Sequence, residues 1–497
     1  MSSTRMRRSG LTLAAAATAT VLAATTANAA GTPGGGSIGD PYYPTDGNTG
    51  YDVGHYDLRL NYTPGADHLS GTATILATPT QALSSFSMDF GLHPDSVLVD
   101  SAPAAFHERH AKLVITPSHD LAKGTPITIV VRYHGTPSKV EINGEKDWVA
   151  TKDGALAAQE PHIAAFWYPV NDHPLDKATY DVSVAVPDGT QVVSNGSFEG
   201  TSKQRAGVTR WNWRSTKPEA SYLNFLAIGH YEIRKQTAPD GQPFITAYQD
   251  TLGDSAPAAQ ASVERTPEIL TWESGLFGAY PFGAQGGVVS SNLGFALEDQ
   301  TRPVYSAKFF AKGADPYVIV HENAHQWFGD SVSVAGWRDI WLNEGFAGYT
   351  EWLWSEHTGE GTAAQLADYV YGQHPADDAF WQVLPGDPGP DHQFDDAVYD
   401  RGAMALQAYR STVGDAAFFR TMRDWASQHK YGNGTTGAFI ALAEQDSGQP
   451  VYNLFHTWLF TKGKPASAPT GSQFHALVQP KSYAQIKRTN HLLGAGR

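Results

Sequence analysis

The 497-residue chain contains no cysteine. That absence removes disulfides, thiolate metal ligands, cysteine nucleophiles and a lipid-bearing cysteine, so any metal must be held by histidine and carboxylate groups. Charged residues are sparse at 17%, and the net charge is −15. A basic footprint is therefore missing, and nucleic acid is not expected as a partner. Long apolar runs are missing too. No stretch reaches the roughly 20 apolar residues of a spanning helix, so no membrane span is expected. Aromatic residues, by contrast, are plentiful: 13 Trp, 22 Tyr and 22 Phe supply surface for large, well-packed interiors. The length exceeds one ordinary core, which predicts two folded domains plus tails.

The first residues carry an address. Arg5, Arg7 and Arg8 form a basic region, Gly10 to Thr26 is uncharged and rich in Ala, Thr and Leu, and Ala27-Asn28-Ala29 fits the small-x-small cleavage rule. Residues 1–29 therefore read as a signal peptide, and the protein is expected to be secreted. Arg7-Arg8 suggests twin-arginine export, whereas Gly10 stands where such signals prefer a bulky apolar residue, so both export routes stay open.

Residues 30–50 are rich in Gly and Pro and read as a flexible linker. From Tyr51 the period becomes two: Tyr56, Leu58, Leu60 and Tyr62 alternate with Asp57, Arg59 and Asn61. Similar alternation recurs at Ala73 to Ala77, Phe86 to Phe90, Ile127 to Tyr133 and Tyr180 to Val186, which predicts an antiparallel, β-sandwich-like domain over 51–245. Helical spacing then dominates, at Val263 to Leu276, Asp315 to Phe328, Glu344 to His357, Gly402 to Thr412, Ala416 to Ala426 and Val451 to Phe460. With a β segment at Gly287 to Ser290, this predicts an α+β domain over 246–465. Residues 466–497 lack periodicity and are expected to form a poorly ordered tail.

One motif carries chemistry. His321-Glu322-Asn323-Ala324-His325 is an H-E-x-x-H sequence in a segment without Pro or Gly from Tyr317 to Phe328, so a continuous helix would put both imidazoles on one face. Glu322 would lean over the same cation as a base. After eighteen intervening residues comes Glu344, for which Asn343 is the expected N-cap. Two His and one Glu with an open position is the pattern of catalytic zinc, one ion per chain.

HENAHQWFGD followed by WLNEGFAGY resembles the M1 aminopeptidases, and the resemblance runs from about Tyr51 to Pro465. It implies an N-terminal β domain, a thermolysin-like catalytic domain and peptide substrates with a free N-terminus. The family's G-x-M-E-N stretch is similar to Phe295-Ala296-Leu297-Glu298-Asp299, which keeps the amine-binding Glu as Glu298 and replaces the Gly, Met and Asn. A second amine-binding residue, fourteen positions before a D-x-P proline, falls on Glu160 ahead of Asp172-His173-Pro174, although the Arg usual five positions later is Ala165. For both glutamates the alternative is a solvated surface carboxylate. Tyr399, ahead of Arg401-Gly402, resembles the family's catalytic tyrosine, an oxyanion donor, with an ordinary packed tyrosine as the alternative. Glu351, Asp330 and Asp339 compete as partners of a ligand imidazole.

The resemblance also implies that the large helical domain common in the family is absent after Pro465, which would leave the cleft more open. Alternatives to an aminopeptidase are a secreted zinc endopeptidase of the same fold, the epoxide hydrolase activity of one branch, and a non-catalytic binding module, against which Glu322 argues. First-residue preference, natural substrate and oligomeric state are not legible in the sequence.

Overall fold

Alternation decides the first domain. In β1 (Tyr51–Thr63) the residues Tyr56, Leu58, Leu60 and Tyr62 are buried while Asp57, Arg59 and Asn61 face solvent, as the period of two requires. The computed structural model describes residues 30–471 and 478–494, so the expected signal peptide lies outside the described residues. With β1 run β2 (His68–Pro79), β3 (His93–Val99), β4 (Ile127–Gly135), β5 (Ala178–Pro187), β6 (Ser197–Arg205) and β7 (Val208–Glu219). They form one eight-stranded sheet in the order β6-β7-β5-β1-β2-β4-β3, completed at its edge by Ala102–Pro103. Two four-stranded sheets accompany it.

The sheet is not wholly antiparallel as expected. β1 and β5 are parallel, with Tyr56 opposite Tyr180. Over a hundred intervening residues separate them, ample for a crossover that no hairpin can make.

A second sheet of β8 (Tyr231–Thr237), β9 (Pro243–Gln249), β10 (Gln285–Ser290), β11 (Ala296–Leu297) and β12 (Val304–Ser306) has the order β8-β9-β10-β12-β11. It begins inside the range 51–245 expected for the first domain. The helix expected from Val263 to Leu276 is two, α1 (Ala256–Val263) and α2 (Thr266–Phe277), because Pro267 cannot continue a helical hydrogen-bond ladder but suits a new first turn. There follow α3 (Pro316–Ala324), α4 (Trp341–Thr358), α5 (Ala363–Gln373), α6 (Gly402–Val413), α7 (Asp415–Gln428), α8 (Thr436–Ser447) and α9 (Tyr452–Phe460). One apolar core of aromatic and aliphatic side chains fills the helical part and another the β part, with β9, β10 and β12 contributing to the seam.

Two expectations of looseness are overturned. Residues 30–50 are not a free linker: Thr32–Pro33 pairs with the strand Leu83–Asp89, and Asp40, 5% exposed, accepts from the backbone N–H of Tyr42 (2.8 Å) and of Trp337 (3.0 Å). Gly and Pro there exclude regular structure without excluding contacts. The expected loose tail 466–497 holds α10 (Tyr483–Gly494), whose Ile486 and Leu493 are buried. Arg488 of α10 pairs with Asp315 at 2.8 Å, and Asn490 donates to Asp400 at 3.3 Å.

The domains are tied close to the H-E-x-x-H segment. Lys177 Nζ donates to the carbonyls of Asp330 (2.6 Å) and Ser331 (3.1 Å), and burial lowers its pKa to about 7 despite the nearby Asp330 and Glu219 carboxylates.

Candidate metal and substrate site

The helix carrying the two histidines is short and set by its ends. Asp315 caps α3 by accepting from Tyr317 N at 3.2 Å, and Pro316 occupies the first turn, where its missing N–H costs nothing. Every residue from Tyr317 to Ala324 is buried, so this helix is wrapped on all sides. The expected continuous helix to Phe328 stops instead at Ala324, because Asp330 N and Ser331 N turn back onto the carbonyls of His325 (2.9 Å) and Gln326 (3.2 Å). His325 is the C-cap and keeps helical dihedrals, φ −59° and ψ −23°, so the i, i+4 relation survives. The two imidazole centroids are 4.9 Å apart. Asn343 is not the N-cap of the next helix. α4 starts at Trp341, directly after the 3-10 turn Trp337–Asp339, which puts Asn343 and Glu344 within its first turn.

The structure brings His321, His325 and Glu344 together, with one ligand atom of each lying within 4.8 Å of the others. Glu344 Oε2 is 3.2 Å from His321 Nε2 and 3.6 Å from His325 Nε2, and all three residues are fully buried. The other ring nitrogens are engaged. His321 Nδ1 is 2.7 Å from Glu351 Oε1, and His325 Nδ1 is 3.1 Å from the carbonyl of Phe328. With protons on Nδ1 donated to Glu351 and to the Phe328 carbonyl, both Nε2 atoms are left to ligate a cation held between them and Glu344. His325 Nε2 has no hydrogen-bond partner among the described residues. Glu298, Glu322 and Glu351 add further fully buried carboxylates around these rings. Two imidazoles, one carboxylate and surplus negative charge suit a zinc ion, so the donor set fits the metal expected.

Of the three acids considered as imidazole partners, Glu351 takes that place. Asp339 instead accepts from Thr436 N (3.0 Å) and Oγ1 (2.6 Å). Asp330 is fully buried with neither carboxylate oxygen hydrogen-bonded among the described residues.

Glu322 projects from α3 into a second cluster with Glu298 and His325, its ligand atoms again within 4.8 Å. Glu298 follows β11 directly. Its Oε1 accepts from the Tyr222 hydroxyl at 3.2 Å, and its backbone carbonyl from Gln326 Nε2 at 2.9 Å. Gln326 also accepts from Thr301 N at 2.8 Å, so the residue after the ligand His325 locks the Glu298 segment to the metal helix. Glu160, 4% exposed, arrives from the first domain. Burial, then the charges of Glu298, Glu160 and Asp330, push the Tyr222 phenol well above its ordinary pKa.

Tyr399 stacks on His321, with ring centroids 5.8 Å apart and 26° between planes. It sits in a π-helical turn, Ala397–Arg401, that leads into α6. Arg401 fixes that turn by donating to the carbonyls of Trp381 (3.2 Å) and Val383 (2.9 Å), and burial lowers its pKa to about 10. Helices α4 and α6 touch at two glycines: a Cβ built on Gly345 would lie 3.0 Å from the Cα of Gly402. Close approach, and no unusual dihedral, is what requires glycine there.

Sequence reasoning missed Tyr222 and Gln326. Gln326 stood inside the motif HQWFGD and was legible as a neighbour of His325, whereas nothing marks Tyr222 among 22 tyrosines.

The family model for the peptidase M1 N-terminal domain matches residues 53–223, and that for the peptidase family M1 domain matches residues 305–458. Aminopeptidase M1-A of Oryza sativa subsp. japonica is 25% identical over 454 residues, covering 82% of this chain and 50% of its own length. Aminopeptidase N of Streptomyces lividans is 28% identical over 314 residues, covering 58% of this chain and 36% of its own. The chain thus spans about half the length, or less, of the curated relatives it matches. The crystal structure of an M1 zinc metallopeptidase from Deinococcus radiodurans superposes with a TM-score of 0.76 at 29% identity, covering 89% of this chain and 100% of that one. A two-domain M1 zinc metallopeptidase mutant bound to L-arginine gives a TM-score of 0.78 at 28% identity, covering 86% and 98%.

Proposed function

Since the chain belongs to peptidase family M1, we propose that it is a zinc aminopeptidase that removes single residues from peptides with a free N-terminus. The observation that carries this reading is the buried Glu298 carboxylate, grouped within 4.8 Å with Glu322 and the ligand His325, to which Glu160 of the first domain is joined in this proposal as the second amine acceptor. A protonated amine drawn into a buried cleft needs charged acceptors, and two carboxylates at a fixed distance from the metal ligands fix the scissile bond at residue one.

When bound by His321, His325 and Glu344, zinc supplies Lewis acidity, acidifying a water and polarising the scissile carbonyl. Glu322 takes the proton of the attacking water and returns it to the leaving amine. Tyr399, held over His321 by its π-turn, donates its O–H to the developing oxyanion. Glu351 keeps the proton of His321 on Nδ1 and so leaves Nε2 free to ligate. Glu160 and Glu298 hold the N-terminus throughout.

The test compares a free-amine aminoacyl fluorogenic amide with its N-acetylated twin, with and without a zinc chelator. Chelator-sensitive cleavage of the free amine alone supports the reading. Equal cleavage of both would make the protein an endopeptidase with the same metal chemistry.

The reading includes secretion, supported by the Arg5 to Ala29 leader pattern. Mass spectrometry of protein from the culture medium should find a mature N-terminus at Ala30; intact Met1 on cell-retained protein would refute it.

A further inference from the structure

The segment Asp40 to Asp46 precedes residue 53, where the family match begins, yet it packs against residues of both domains. Asp40 holds it to both domains. Its carboxylate receives N–H from Tyr42, Tyr43 and Trp337 and lies 3.3 Å from His173 Nε2. Burial would raise the Asp40 pKa, but these hydrogen bonds bring it to about 2. At the other end, Asp46 Oδ2 is 3.1 Å from Nδ1 of His162, two residues after Glu160.

Tyr43 lies between these anchors. Its ring meets His162 edge-on at 5.7 Å and Trp337 edge-on at 5.9 Å. Trp337 in turn meets Tyr222 at 5.3 Å, and the Tyr222 hydroxyl donates to Glu298. Tyr43 therefore touches the loop of Glu160 directly, through His162, and two rings separate it from Glu298. On its far side the Tyr43 hydroxyl accepts from Gln393 Nε2 at 2.5 Å, six residues before Tyr399. The polar edges are thus tied off: Gln393 takes the phenol, while Asp46 and Glu145 (2.9 Å) flank the His162 nitrogens. What remains to face a neighbour is ring surface, and Tyr43 is only partly buried.

We propose that Tyr43 determines specificity by walling the space beside the amine-binding carboxylates where the first residue's side chain lies, favouring bulky apolar side chains. This inference rests on the aminopeptidase reading. A side chain begins one bond from the carbon bearing the bound amine, and a ring contacting the Glu160 loop and linked to Glu298 is within its reach. Apolar contact with a ring rewards Leu or Phe and gives Ala little to touch.

The experiment measures kcat and KM for Leu, Phe and Ala fluorogenic amides with the zinc-loaded full-length protein, Tyr43→Ala and Tyr43→Phe, and records melting temperatures. Tyr43→Ala should lose about 10-fold in kcat/KM on Leu and Phe amides, mostly through KM, and less than about 2-fold on Ala amide. Tyr43→Phe, which keeps the ring and loses the Gln393 bond, should keep the wild-type preference. Equal loss on all three amides, or no loss on any, overturns the proposal. If the wild-type protein cleaves none of the amides, the aminopeptidase reading itself fails, an outcome distinct from an unmoved preference in an active variant.

Discussion

The two halves of the site are built differently. The metal cluster stands on two helices of one domain, with His321, His325 and Glu344 all fully buried and each imidazole oriented by a second partner. The half proposed to bind the amine is assembled from segments far apart in the chain: Glu160 from a loop of the first domain, Glu298 from the end of β11, and Tyr222, whose hydroxyl donates to Glu298. Bond breaking needs a few atoms in one geometry, which a packed helix pair supplies. Counting residues, as proposed, needs a fixed distance across a cleft, and the Lys177 tie and the Asp40 anchor are contacts that join the two domains.

If this division is right, damage to the helix half should lower kcat and damage to the assembled half should raise KM. The largest effect is expected for Glu322→Gln: about 10²–10⁴-fold less turnover with zinc content unchanged by atomic emission. Near-normal turnover would remove Glu322 from the role of base. Tyr399→Phe follows, with about 10²–10³-fold lower kcat and little change in KM, as for loss of one oxyanion donor. Glu351→Gln should weaken zinc affinity by about 10–100-fold in a chelator competition, while activity returns at saturating zinc.

On the other side, Glu160→Gln should raise KM for free-amine amides about 10-fold or more, the worth of one charged hydrogen bond, and change kcat less. A pure kcat loss there would break the comparison.

Much of the helix half was legible because it is written locally. His321, Glu322 and His325 lie within one turn and a half, and their spacing follows from the helical period alone. Tyr399 was legible through Arg401-Gly402, which proves to be the anchor of its π-turn. The assembled half was harder. Glu298 and Glu160 came from resemblance, and Tyr222 and Tyr43 bond to partners more than 70 residues away, beyond any periodicity. Residues 30–50 misled because Gly and Pro forecast backbone irregularity, which the structure has, and not mobility. α10 was missed because its two buried apolar residues, Ile486 and Leu493, are separated by the polar run Lys487 to His491. Where α3 ends was also hidden, since its stop depends on Asp330 and Ser331 turning back and not on a breaker inside it.

The smallest expected effect concerns the floor beneath the assembled half. Glu219 is fully buried, accepts from Asn224 (2.8 Å) and Ser215 (2.7 Å), and lies 3.2 Å from Gln300 Nε2, close to the Glu298 segment. Burial raises its pKa to about 8, with the Asn224 and Ser215 hydrogen bonds and the Lys177 charge opposing. The folded state therefore holds this proton more tightly than the unfolded chain, and the stability it contributes is full below about pH 4.3 and lost as pH rises through about 8. Glu219→Gln, which imitates the protonated acid, should flatten the fall in melting temperature between pH 5 and about 8.5 in scanning calorimetry. An unchanged slope would mean that Glu219 is ionised throughout.

The contact of Gly345 with Gly402 has a consequence for inheritance. Neither residue carries a group that could act on a substrate, yet each sits within three positions of one that does, Glu344 and Tyr399. A methyl at either would meet the other helix's backbone at 3.0 Å, so the segments that carry the carboxylate ligand and the phenol would have to yield by a few tenths of an ångström. In a pool of random variants screened for activity, these two glycines should tolerate change as poorly as the metal ligands, and a reader of that screen would count them as part of the active site.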